Sequence, residues 1–181
     1  MTAGFRRAVF LDRDGVVIAA VVRDNKPHAA TTEAEVQLLN GVSQACGDLH
    51  AIGFLLILTT NQPDVARKKI DRAFVDDTNA KIAAELGFDA VRVCYHDDAD
   101  GCDCRKPLPG LLTHAAEDFG IDLKASYVVG DRWRDIEAGN AAGCRTVFID
   151  YGYDERLRSR PNHVAASLAE AVPWIRKDMT G

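Results

Sequence analysis

The chain has no dense block of lysine and arginine, and its net charge is −5 over 181 residues. That excludes the basic footprint of a nucleic-acid-binding protein. Arg67-Lys68-Lys69 is short and reads as a solvated helix face. Apolar runs such as Phe54 to Leu58 are far too short to cross a membrane. The N-terminus lacks the apolar core of a secretory signal, so a cytoplasmic location is expected. Repeats, low-complexity tracts and linker-like stretches are also missing, which leaves one domain spanning 1–181. With hydrophobic residues at 47%, disorder is excluded as well.

What the chain does have is a series of short apolar runs that end in polar residues. Ala8-Val9-Phe10-Leu11 leads into Asp12, Arg13, Asp14 and Gly15. A continuous apolar run of this kind predicts a strand buried on both faces, as in a parallel sheet. Gly15 allows a sharp turn after it. Val16 to Thr32 reads as a loop or short hairpin over the mouth of the sheet, and a helical pattern begins at Thr32 and stops at Gly53. Phe54–Leu58 predicts a second strand, ending in Thr59-Thr60-Asn61-Gln62. One helix is expected over Ala66–Leu86, stopped by Gly87, then a strand over Ala90–Cys94 and a helix from Pro109 to Gly120. Tyr127–Asp131 and Arg145–Ile149 predict two more strands around a short helix, Ile136–Ala142. A last helix covers Ser167–Ile175, interrupted or restarted at Pro173. Strands alternating with helices predict an α/β fold with a mostly parallel sheet.

Four of these segments deliver polar groups to one edge: Asp12 and Asp14; Thr60 and Asn61; Arg105-Lys106-Pro107; Asp131 and Asp135. The carboxyl edge of an open α/β sheet is where ligands bind. Each residue alone has a plainer reading, as a helix cap, a solvated turn or a surface lysine. Together they fit phosphoryl transfer. Asp12 serves as nucleophile and Asp14 as acid and base. Mg²⁺ is held by Asp12, Asp131 and the Asp14 backbone carbonyl. Thr60 and Lys106 bind the transferring oxygens, and Asp135 orients Lys106 or a metal-bound water.

Three of the five cysteines crowd beside a histidine, in the order Cys94, His96, Cys102 and Cys104. Three thiolates and an imidazole make a closed tetrahedral zinc site with no open position, so the zinc is expected to be structural. It would pin the loop 94–104 and with it Arg105 and Lys106. Free thiols and a redox Cys-x-Cys are the other readings. Cys46 and Cys144 lie in apolar contexts and read as packing residues.

The run Phe10–Val16, then Thr60-Asn61-Gln62, Lys106 and Val129–Asp135, resembles in order and spacing the four motifs of the haloacid dehalogenase (HAD) superfamily of phosphohydrolases. The likeness spans roughly Val9 to Ile149. It is most similar to the branch containing the D-glycero-D-manno-heptose-1,7-bisphosphate and histidinol-phosphate phosphatases. The resemblance implies a HAD-like Rossmannoid three-layer sandwich with no large cap domain. It implies Asp12 as nucleophile, Asp14 as proton donor, and Thr60 and Lys106 as phosphoryl stabilisers. Asn61, Gln62 and Arg105 are the expected substrate-binding residues, and Asp131 the metal ligand. It also implies Mg²⁺ and structural Zn²⁺ as cofactors, and a small phosphorylated sugar as the partner of a monomeric chain. The heptose bisphosphate is the first expected substrate and histidinol phosphate the alternative. A catalytically inactive, zinc-stabilised binding module is the reading from another class. The chain departs from the branch at Ile18, Pro63-Asp64 and Lys68, where Asn, Ser-Gly and Gly are usual.

Overall fold

The computed structural model describes residues 5–180. In chain order the elements are β1 (Arg7–Asp12), β2 (Val21–Arg23), β3 (Lys26–His28), α1 (Val42–Ala51), β4 (Phe54–Asn61), α2 (Pro63–Ala66), α3 (Arg72–Leu86), β5 (Ala90–Cys94), α4 (Gly110–Phe119), β6 (Tyr127–Gly130), α5 (Trp133–Ala142), β7 (Arg145–Ile149), β8 (His163–Ala165) and α6 (Leu168–Asp178). Six strands form one parallel sheet in the order β5-β4-β1-β6-β7-β8. The chain builds outward from β1 through β4 to β5, then returns to lay β6 on the other side of β1. That reversal opens a crevice beyond the carboxyl ends of β1 and β6, where open α/β sheets bind ligands.

The alternation along β1 sets the layers. Val9 and Leu11 join one cluster with Leu49 of α1, Ile82 of α3 and Ile175 of α6. Ala8 and Phe10 face the other side and pack with Leu112 and Ala115 of α4 and Ala138 of α5. Both faces of β1 are therefore dry, and each fully buried Leu, Ile or Phe contributes about 1.5–3 kcal/mol. The strand cannot slip by one residue without exchanging the two sets. Among the described residues, no helix is long and apolar enough to cross a membrane.

Val16–Thr32 holds the antiparallel β2–β3 hairpin. Several expected boundaries move. The helix expected from Thr32 begins only at Val42, because residues 37–39 run extended against the loop after β1: Ala19 N–H donates to Gln37 O and Leu39 N–H to Val17 O. The single helix expected over Ala66–Leu86 is two, α2 and α3. Lys68 takes a left-handed φ of 57° between them, and Asp71 caps α3 by accepting from Ala73 N–H. Lys68 thus stands, strained, where the related branch has glycine. The helix expected from Ile136 starts at Trp133. Pro173 does not interrupt α6, because Leu168, Ala171, Val172 and Ile175 bury one face of the helix while Pro173 points outward. Strand β8 went unanticipated; three residues are too few to show a period.

Candidate active site

Asp12 ends β1 opposite Thr59 of β4, and Asp131 follows directly on β6, so the sheet itself brings the two carboxylates to the crevice. Asp135 lies in the first turn of α5. One oxygen from each of Asp12, Asp131 and Asp135 lies within 4.8 Å of the other two. The backbone makes room for this. A Cβ on Gly15, whose φ is +91°, would sit 2.0 Å from Asp131 Oδ2, and one on Gly130 would sit 2.1 Å from Asp135 Cβ. Only glycine lets the two loops close over the carboxylates.

Lys106 Nζ lies 2.6 Å from Asp12 Oδ1 and 2.6 Å from Asp135 Oδ1. Burial works against its charge, but the two carboxylates prevail and hold the ammonium above its ordinary value. Three buried carboxylates and one ammonium leave two negative charges. Burial, and then the neighbouring carboxylates Asp135 and Asp14 against the relief from Lys106, push Asp12 up to about 7. Burial, and then the neighbouring carboxylates Asp12 and Asp135 against the relief from Arg132, push Asp131 well above the carboxylate range. Both oxygens of Asp131 are buried and accept no hydrogen bond. An orphaned carboxylate in a cluster of charge −2 is the complement of a divalent cation. The oxygens around Mg²⁺, at about 2.1 Å from the ion, are themselves about 3–4 Å apart, so the cluster fits it. Asp12 and Asp131 have the free lone pairs, while Asp135 already accepts from Lys106 and from Arg132 N–H.

The sign of the pH effect follows. Carboxyls with raised values hold protons in the fold that the unfolded chain releases. The ion-free protein should therefore lose stability as pH climbs from about 4 toward about 7. Added Mg²⁺ is expected to raise Tm more at pH 8 than at pH 5. If thermal melts show a Tm indifferent to Mg²⁺ at both pH values, the cluster holds no such cation.

Asp14 points away from this cluster. Its carboxylate accepts from Arg13 Nε at 3.0 Å and Arg13 Nη2 at 3.2 Å, from Gln62 Nε2 at 3.0 Å and from Ala30 N–H at 3.3 Å. Only its backbone carbonyl remains available as the expected metal ligand. Gln62 Nε2 also donates to Thr60 Oγ1 at 2.8 Å, which leaves the Thr60 hydroxyl proton free to donate outward. Asn61 exchanges two hydrogen bonds with the Lys106 backbone, Nδ2 to O at 3.0 Å and Lys106 N–H to Oδ1 at 3.1 Å. Both amides were expected to bind substrate; here Asn61 uses both polar atoms on the Lys106 backbone, and Gln62 uses its Nε2 to fix Asp14 and Thr60. Arg105 is turned away too. Its Nε donates to Asp98 Oδ1 at 2.7 Å and its Nη1 to His96 O at 3.3 Å.

The crevice is a cleft of about 80 Å³ whose lining includes Asp12, Asp14, Thr60 and Lys106. Arg132 and Arg134 line it as well, and neither had been expected. Their place after a strand end, at the start of α5, was the available signal. Fully buried Arg13 was likewise unassigned; its Nη1 donates to Asn79 Oδ1 at 3.1 Å, and nothing local points to a partner 66 residues away.

The four cysteine-loop residues converge, with Cys94 Sγ 3.7 Å from Cys102 Sγ and 3.6 Å from His96 Nδ1. His96 Nδ1 lies 3.3 Å from Cys104 Sγ. Zn–S bonds of about 2.3 Å set the edges of a tetrahedron near 3.8 Å. The donor set and spacing fit a four-coordinate zinc with no position left for substrate. Arg67 braces the loop from outside, through Nε to Asp97 Oδ2 at 2.7 Å.

Known proteins resemble this chain over most of its length. The HAD-hydrolase-like family matches residues 103–171. The D-glycero-beta-D-manno-heptose-1,7-bisphosphate 7-phosphatase of Pseudomonas aeruginosa is 32% identical over 161 residues, covering 86% of this chain and 88% of the relative. The enzyme of the same name from Escherichia coli K12 is 33% identical, covering 94% of each. The crystal structure of D,D-heptose 1,7-bisphosphate phosphatase from B. bronchiseptica, complexed with magnesium and phosphate, superposes with a TM-score of 0.79 at 29% identity. It covers 95% of this chain and 99% of that one.

Proposed function

The chain belongs to the D-glycero-β-D-manno-heptose-1,7-bisphosphate 7-phosphatase family of HAD-like hydrolases, and from that premise we propose how its residues release phosphate from the heptose bisphosphate. It is a phosphatase, and its carboxylate cluster fits Mg²⁺ and its Cys/His cluster a structural Zn²⁺. The observation that most supports this assignment of residues is Asp131. Its two buried, unpartnered oxygens lie beside the carboxylate of Asp12 at the mouth of the sheet.

Asp12 attacks the phosphorus of the bound monoester, the bond to the sugar oxygen breaks, and Asp14 gives that oxygen its proton. The product of this step is an aspartyl-phosphate on Asp12. Asp14 then takes a proton from water, the water oxygen attacks the phosphorus, and the bond to Asp12 breaks to release phosphate. Asp12, Asp131 and the Asp14 carbonyl would hold Mg²⁺, which would supply the positive charge that lets an anionic nucleophile approach an anionic phosphate. Lys106 and the Thr60 hydroxyl bind the phosphoryl oxygens. Asn61, Gln62, Arg13 and Asp135 hold those groups in place. Arg105 acts through the zinc loop by anchoring it to the backbone of His96.

Phosphate release from the heptose 1,7-bisphosphate and from histidinol phosphate tests the substrate. The expected kcat/KM favours the bisphosphate by at least about a hundredfold, the scale on which a site built for polar groups discriminates. The reverse order would make the chain a histidinol-phosphate phosphatase. Release from neither, across a panel of sugar phosphates with Mg²⁺, would leave a binding module on a retired scaffold.

A further inference from the structure

Helix α3 buries Val75, Thr78, Asn79, Ile82 and Leu86. Asn79 is the costly member of that face. It is 2% exposed, and its Nδ2 is buried with no hydrogen-bond partner. A leucine there would leave no donor unpaired. Arg13 is costly in the same way. Its guanidinium is fully buried, and among the described residues Asp14 is its one ion pair. The two meet where Arg13 Nη1 donates to Asn79 Oδ1 at 3.1 Å. Two costly groups, joined to each other and to one carboxylate of the reaction cleft, call for a reason other than packing.

Arg13 reaches both oxygens of Asp14, Nε to Oδ2 at 3.0 Å and Nη2 to Oδ1 at 3.2 Å. Such a fork sets the plane of a carboxylate as well as its place. It can do so only if it is itself held. At the backbone, Val17 N–H and Ile18 N–H donate to Arg13 O at 3.0 and 2.9 Å. At the far end the guanidinium is held by Asn79. That residue stands on a helix anchored through Ile82 and Leu86 in the same core as Val9 and Leu11 of β1. The other two donors to Asp14 bind it less firmly. Gln62 Nε2 is shared with Thr60 Oγ1, and Ala30 N–H lies 3.3 Å away, on the segment after β3. An uncharged acceptor at 79 orients the guanidinium and leaves Asp14 its counter-ion.

We propose that Asn79 is a positioning residue for proton transfer: through the buried guanidinium of Arg13 it fixes the carboxyl of Asp14 in the cleft, facing the oxygen that leaves. This deepens the phosphatase reading and rests on its assignment of Asp14 as the acid. When the bond from phosphorus to the sugar oxygen breaks, the electron pair goes to that oxygen, which takes the Asp14 proton. A sugar alkoxide is a poor leaving group and needs that proton. A nitrophenolate leaves well without one. A misplaced Asp14 therefore slows an alkyl phosphate and spares an aryl phosphate. Damage to the fold or to the nucleophile slows both alike.

The test measures kcat/KM with Mg²⁺ on the heptose bisphosphate and on p-nitrophenyl phosphate. It uses wild type, Asp14→Asn, Asn79→Leu and Ile82→Ala. The quantity read is the ratio of the two values, sugar over aryl, which does not change with the fraction of protein folded. Asp14→Asn should lower the ratio about 100- to 10,000-fold, the scale of a lost general acid. Asn79→Leu should lower it about 10- to 100-fold, the scale of a misplaced group. On the sugar the loss should fall on kcat with KM unchanged, because the contact acts only in the transition state. Ile82→Ala disturbs the same buried face of α3 without removing a partner of Arg13, and should leave the ratio at its wild-type value. A ratio unmoved in Asn79→Leu, a loss carried by KM, or an equal fall in Ile82→Ala overturns the positioning role while leaving the phosphatase intact. A ratio unmoved in Asp14→Asn removes Asp14 as the acid and this role with it. Turnover of neither substrate by the wild type overturns the phosphatase reading as well.

Discussion

Asp12→Asn is expected to lower kcat by at least about four orders of magnitude, because an amide oxygen cannot form the aspartyl-phosphate and removing a nucleophile costs on that scale. The variant should nevertheless be at least as stable as the parent in a chelating buffer. Asp12 is buried beside Asp131 and Asp135, and the ion-free cluster has an excess of two negative charges. Neutralising one of them removes repulsion, while Lys106 keeps its partner Asp135. Two measurements therefore move in opposite directions: phosphate release collapses while Tm in chelator holds or rises. The upward shift in Tm that Mg²⁺ gives the parent should shrink, since Asp12 is one of the two carboxylates open to the cation. Retained turnover would remove Asp12 as the nucleophile. A collapse of both turnover and Tm would mean that the buried cluster stabilises the fold by a route other than charge.

Stripping the zinc, or replacing Cys104 by Ser, should have the second-largest effect. The loop 94–104 buries one side chain, Cys94, and is otherwise held by polar contacts. Without the ion it has too little apolar surface to offset the entropy of ordering. Neither packing cluster contains a residue of the zinc loop, and the sheet holds only Cys94, at the end of β5, so the core should persist. Lys106 follows Cys104 by two residues and reaches Asp12 from there. A loosened loop therefore misplaces the ammonium that neutralises the nucleophile. The expected result is a fall in kcat/KM of about 10- to 100-fold, comparable to losing the support of a metal site. New proteolytic cleavage between 97 and 103 should accompany it. Metal-stripped protein with unchanged KM and kcat, and no new cleavage, would show that the loop stands without zinc.

The elements and their ends were legible because they are local. An apolar run ending in aspartate specifies a buried strand and a carboxylate at its rim; β1 ends at Asp12 as expected, and β6 ends one residue early, at Gly130, with Asp131 directly after it. The spacing of Cys94, His96, Cys102 and Cys104 also carries its own meaning, since so few arrangements of four soft donors serve anything but a metal. The break between α2 and α3 was not legible. It depends on Lys68 adopting a left-handed φ, which the helical pattern around it does not announce. The partners of Asn61, Gln62 and Arg105 were hidden for another reason. A polar side chain at the sheet edge can turn toward substrate or toward the backbone of a neighbouring loop. The sequence lists both choices without their distances.

From the order of its residues alone, this chain determined a parallel α/β sheet, a carboxylate on each of two strands, a lysine behind a metal loop, and the class of chemistry these support. Through-space geometry decided the rest: that Asp131 has no partner, that two amides brace Asp14, Thr60 and Lys106, and that Arg134 and Arg158 share one tryptophan. The physical reason is range. Periodicity and spacing act along the chain, whereas hydrogen bonds and charge balance are settled between residues that only folding brings together, as Lys106 and Asp12 are across 94 positions.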